Sequence, residues 1–107
     1  MWESGHRMRI ISRKVLVDFA VDHPQAKPSL EHWERLTKSA SWATVQEVTA
    51  AFSQSKGPNH ERVRFKVQGG NYRLIVAFDF DRQAAFIKFV GTHAEYDRID
   101  ALTVSQF

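Results

Sequence analysis

The chain has 107 residues, which suits one compact domain and leaves no room for a second core of ordinary size. At 43% hydrophobic and 25% charged, with five Gly and three Pro, it has the composition of a folded protein, not of a disordered tail. The absence of cysteine excludes a disulfide frame, a thiolate metal site and thiol nucleophilic catalysis, and the net charge of +3 favours an acidic partner without identifying one.

Met1 to Arg7 lacks the apolar run of a signal peptide, and no later stretch approaches the roughly 20 apolar residues of a membrane span, so a cytoplasmic location is expected. Met8, followed by Arg9-Ile10-Ile11, would make a natural start. Residues 1–7 are therefore expected to be an N-terminal extension with no part in the fold, and residues 8–107 a single domain. Met8 to Ile11 suits a short strand. Ser12 is placed to cap a helix carrying Val15, Leu16 and Phe19 on one stripe, which Pro24 would end. Ala26, Leu30, Trp33, Thr37 and Ala40 trace one face of a second helix, and Trp33 and Trp42 are expected to pack helices. Thr44 and Glu47 have capping-box spacing before a third stripe of Val45, Val48 and Phe52. Ser53 to His60, with Gly57-Pro58-Asn59, suits a loop.

After His60 the period becomes alternating, with Val63, Phe65 and Val67 apolar and Arg62, Arg64, Lys66 and Gln68 polar, as in a half-buried strand. Gly69-Gly70 supplies the positive φ of a two-residue hairpin turn, and Asn71 to Phe80 is rich in β-formers. Asp81-Arg82 turns the chain into a last strand, Ala84 to Val90, which Gly91 stops. Thr92 and Glu95 repeat the capping-box spacing ahead of a short terminal helix from His93 toward Leu102, with Tyr96, Ile99 and Leu102 near one face. The expected fold class is α+β: N-terminal helices packed on one face of an antiparallel sheet, with a short C-terminal helix.

A turn at Gly69-Gly70 pairs Lys66 with Arg73 and Val67 with Tyr72. Arg62, Arg64, Lys66, Arg73 and Ile75 then share one face, and Phe65, Val67, Tyr72 and Leu74 the face toward the helices. A second turn centred on Asp81-Arg82 pairs Ile75 with Lys88 and adds Lys88 to the basic face. Like charges directly opposed on a sheet are destabilising, so Lys66 against Arg73 points to a bound anion. Any single Lys or Arg is more often an ordinary solvated charge; four or five converging on one face reverse that balance.

RNA suits such a face, because its own 2′-hydroxyl can attack the adjacent phosphorus and the protein need supply only base, acid and positive charge. No metal is required, and the scattered His6, His23, His32 and His60 show no ligand spacing. Arg73 and Arg64 present N–H forks to phosphate oxygens, and Lys66 adds a compact charge or accepts a proton. His93 is the preferred acid, although a lone histidine is more often a surface or packing residue. Tyr96 either stacks on a base or fills core. The catalytic candidates are thus Lys66, Arg73, His93 and Tyr96, and the RNA-binding candidates Arg62, Arg64, Lys66, Arg73 and Lys88.

The segment Val63-Arg64-Phe65-Lys66-Val67-Gln68-Gly69-Gly70-Asn71-Tyr72-Arg73-Leu74-Ile75, with Gly91-Thr92-His93-Ala94-Glu95-Tyr96-Asp97, resembles HigB-type toxins of the RelE-like superfamily, over about Met8 to Leu102. The resemblance implies a RelE-like fold and a ribosome-dependent mRNA interferase that cuts message in the decoding site and is held inactive by a HigA-type helix-turn-helix antitoxin, without a cofactor. It matches Arg64 and Lys66 to the basic pair before the turn and Arg73 to the strand arginine. His93 stands where RelE itself often has arginine, which leaves the acid open, and the helical offset of Tyr96 differs from that of RelE's terminal tyrosine. The alternatives are a noncatalytic RNA- or ribosome-binding module and an antitoxin-binding regulatory protein.

Overall fold

The structure is a computed structural model and describes residues 6–107. Most of the expected extension, residues 1–5, lies outside the described residues. The elements are β1 (Arg9–Ile11), α1 (Arg13–Asp22), a 3-10 turn at Pro24–Ala26, α2 (Lys27–Ser39), α3 (Val45–Ala51), β2 (Ser55–Lys56), β3 (Arg62–Val67), β4 (Tyr72–Asp79), β5 (Ala84–Thr92) and α4 (His93–Tyr96). The fold is α+β, with the three longer helices on one face of a five-stranded sheet of order β1-β5-β4-β3-β2.

The helical stripes bury as their spacing requires. Leu16 of α1, Leu30, Trp33 and Thr37 of α2, and Val45 and Val48 of α3 are buried against Val63, Phe65, Val67, Tyr72, Leu74, Val76, Phe78, Ile87 and Val90 of the sheet. Edge-on aromatic contacts join the layers, Trp33 to Phe65 at 5.6 Å and Phe52 to Phe65 at 5.0 Å between ring centroids. Trp42 packs against Phe52 and Phe78 in the same core.

Several details differ from the sequence expectation. Ser12 adopts φ 72° and its side chain caps nothing, so α1 begins from a left-handed residue. β1 joins β5 in parallel register, because the long α1–α3 excursion brings the chain back to the far side of the sheet. The expected loop at Ser53–His60 contains β2, where Ser55 pairs with Phe65 and Lys56 with Arg64. Gly91 does not stop β5, which continues to Thr92 and pairs Gly91 with Arg73. The terminal helix is one turn long, and residues beyond Tyr96 form turns and a tail.

That tail covers the face of the sheet turned away from α1–α3. Arg62 on β3 donates to the carbonyls of Ala101 and Val104, at 3.2 and 2.8 Å, and the Gln106 amide donates to the Lys88 carbonyl on β5. Ile75 and Phe89 are consequently buried, although they point away from the helices. This second, thin layer explains why β3 and β4 show almost continuous burial where alternation is expected of a half-exposed sheet.

Candidate active site

The hairpin builds the site. Gly69 and Gly70, at φ +64° and +94°, occupy the central positions of a tight turn closed by the Asn71 amide on the Gln68 carbonyl at 3.2 Å. The turn fixes Val67 opposite Tyr72 and Lys66 opposite Arg73, the expected register, and two residues further on Arg64 faces Ile75. A Cβ on Gly70 would lie 3.8 Å from Arg73 Nη1 and 3.9 Å from Lys66 Cδ, so both cationic side chains flank the turn.

Arg73 is 6% exposed. Its Nη1 donates to the carbonyls of Gly70 and Tyr72, and its Cζ lies 5.6 Å from the centroid of the Tyr96 ring. No carboxylate pairs with it among the described residues. Arg64 is 9% exposed and its guanidinium makes no hydrogen bond or ion pair among them. Its nitrogens are not among the buried atoms left without a partner, so they reach solvent and lie open to an anion. Lys66 is exposed and likewise unpaired among the described residues.

At the end of β5 the chain turns into α4 through a complete capping box. Thr92 Oγ1 accepts from the Glu95 amide and Glu95 Oε1 accepts from the Thr92 amide, at 3.1 and 2.8 Å. The His93 amide donates to the Asn71 carbonyl at 3.1 Å, which ties α4 to the hairpin turn two residues before Arg73. The His93 ring is half-exposed, with Nδ1 3.1 Å from Asp97 Oδ2. Tyr96 lies between Arg73 and Phe89, whose ring centroid is 6.4 Å away, so it both packs and faces the cation.

The sheet thus brings Arg64, Lys66, Arg73 and Tyr96 together, with His93 at the adjoining corner. Arg62 shares the face, but its guanidinium holds the tail carbonyls. Lys88 lies further off. The β4–β5 register steps between Ile75↔Phe89 and Val76↔Ile87, so the expected Ile75–Lys88 pair does not form and Lys88 is the inserted residue. It stays on the face away from the helices, with Nζ 5.7 Å from the Phe86 ring centroid, one row beyond Ile75.

Two neighbours of the site were given no role by the sequence. Asp97 contacts His93 across one helical turn, a spacing visible in the chain. Lys56 stands opposite Arg64 on a two-residue strand, too short to show any periodicity. Among the described residues no group of three or more His, Asp or Glu is arranged to hold a metal ion.

A family model described as HigB_toxin, the RelE-like toxic component of a toxin-antitoxin system, matches residues 26–99. The chain belongs to the HigB toxin family. The match takes in the whole hairpin together with His93 and Tyr96, the segments whose resemblance pointed to HigB-type toxins, and leaves out β1 and α1. The mRNA interferase HigB of Escherichia coli O6:H1 is 28% identical over 99 residues, covering 86% of this chain and 91% of that protein.

Proposed function

We propose that this HigB-family toxin is a metal-independent mRNA interferase that cuts message in the ribosomal decoding site, in the cytoplasm, and is held inactive by a HigA-type helix-turn-helix antitoxin. The observation that carries the reading is the pair Arg64 and Arg73, two largely buried arginines with no carboxylate partner among the described residues, beside exposed Lys66. The activity named for the Escherichia coli relative supports it.

In the proposed reaction the 2′-oxygen of the substrate attacks the adjacent phosphorus and the bond from phosphorus to the 5′-oxygen breaks. The products are a 2′,3′-cyclic phosphate and a 5′-hydroxyl end. Lys66 stabilises the attacking 2′-oxygen as its proton passes to solvent, and His93 Nε2 delivers a proton to the departing 5′-oxygen while Nδ1 is held by Asp97. Arg73 and Arg64 take the charge that builds on the phosphorane oxygens. Arg73 is held by the Gly70 and Tyr72 carbonyls before substrate arrives, so little reorganisation of that group opposes the step. Tyr96 orients Arg73 and offers a ring to the reacting nucleotide.

The test is cleavage of a defined message on programmed ribosomes, with magnesium keeping the ribosome whole and 1,10-phenanthroline removing transition metals. Wild-type protein should leave 2′,3′-cyclic phosphate and 5′-hydroxyl ends, and Arg73→Ala and His93→Ala should each slow cutting by about 100-fold or more. Ends carrying a 5′-phosphate would reject internal attack by the 2′-oxygen. Ribosome binding without any cutting would leave a noncatalytic module.

A further inference from the structure

Like charges stand directly opposed on this sheet twice. Lys66 faces Arg73 across β3 and β4, and in the next row Lys56 faces Arg64 across β2 and β3. Directly opposed residues project to the same face, so Lys56 continues the basic face to the edge of the sheet. Lys56 is exposed and has no ion pair or hydrogen bond from its amine among the described residues. β2 itself is held in place: the Lys66 amide donates to the Gln54 carbonyl at 2.8 Å, and the Ser55 hydroxyl donates to the Phe52 carbonyl. A second like-charge pair, on a short edge strand that sets Lys56 beside Arg64, has the same physical reading as the first.

We infer that Lys56 binds a phosphate of the message next to the scissile one, on a path that runs from Arg73 over Lys66 and Arg64 and leaves the protein across β2. Adjacent strands lie about 4.8 Å apart and alternate residues of one strand about 6.6 Å apart, steps that suit the spacing of consecutive phosphates on an extended single strand. With the scissile phosphate over Arg73, Lys66 and Arg64, Lys56 stands one strand further on, where the next phosphate falls. Lys56 is a binding residue, away from the reacting atoms, and sets affinity for the flanking nucleotides. The inference rests on the proposed interferase activity.

The experiment is the kinetics of message cutting on programmed ribosomes by wild type, Lys56→Ala, Lys56→Glu and Lys56→Arg. Lys56→Ala should raise KM roughly two- to fivefold with kcat unchanged, Lys56→Glu should raise it further, and Lys56→Arg should restore it. The dependence of log binding on log salt should lose about 0.7 of slope in Lys56→Ala, the share of one single-strand phosphate. The same chemistry is available from ribosomal RNA, so messages carrying one neutral methylphosphonate at each position flanking the cut are compared. At one position the neutral linkage should weaken the wild type and have no further effect on Lys56→Ala. Strictly additive effects at every position would mean that Lys56 meets ribosomal RNA and would overturn the inference, as would Lys56→Glu behaving like wild type or losing kcat alone. Failure of wild type to cut would instead reject the activity on which the inference rests.

Discussion

Arg62, Arg64 and Arg73 are all nearly buried on one face, yet their partners divide them. Arg62 gives its N–H groups to two tail carbonyls, whereas the N–H groups of Arg64 lack a protein acceptor among the described residues. Arg62→Ala should therefore cost stability, about 1–3 kcal/mol from the unpaired carbonyls and lost packing, and cutting per folded molecule should stay near wild type. Urea unfolding followed by fluorescence reads the first effect, and cleavage normalised to folded protein the second. Arg73→Lys makes the opposite prediction. It keeps the charge but loses the planar fork and its contact with the Tyr96 ring, so kcat should fall about tenfold to 100-fold while the urea midpoint moves little.

α4 is a single turn and cannot be stable by itself, so its capping box and the bond from its first amide to Asn71 hold it against the hairpin. Thr92→Ala removes one half of the box and should cost about 1 kcal/mol. Because α4 carries His93 and Tyr96, cutting should fall with it; Thr92→Ser should restore both, as read by thermal unfolding and by cleavage. At α3 only half of the expected box forms, since Glu47 Oε1 accepts from the Ala43 amide and not from that of Thr44; the Thr44 cap and the Thr92–Glu95 box were legible in the sequence because their side chains act within four residues. So were the helical stripes, the hairpin turn and the pairing of Lys66 with Arg73, which depend on local period and on Gly69-Gly70. What escaped depends on contacts distant in sequence. The parallel place of β1, the seat of Lys56 opposite Arg64, the step that moves Lys88 out of line and the capture of Arg62 by the tail are set by packing, with no periodicity of their own.

For the molecule as a whole, a net charge of +3 is too small to account for binding a polyanion by long-range attraction alone. At physiological ionic strength exposed charges are screened beyond about 8 Å, so charges on the helical face contribute little to a phosphate held on the opposite face of the sheet. Lys14 and Lys38 lie on α1 and α2, where they pair with Asp18 and Glu34. The double variant Lys14→Glu, Lys38→Glu turns the net charge negative and should cost only about 1 kcal/mol through the two like-charge pairs it creates. Its affinity for programmed ribosomes should nevertheless stay within about threefold of wild type at physiological salt. Arg64→Ala with Lys66→Ala leaves the protein more positive than that variant, but removes two phosphate contacts and should weaken binding by roughly tenfold or more. Equilibrium binding to ribosomes across a salt series separates the two cases. If affinity followed net charge instead, the double glutamate variant would be the weaker binder, and the local arrangement of cations on β2, β3 and β4 would lose its place in the explanation.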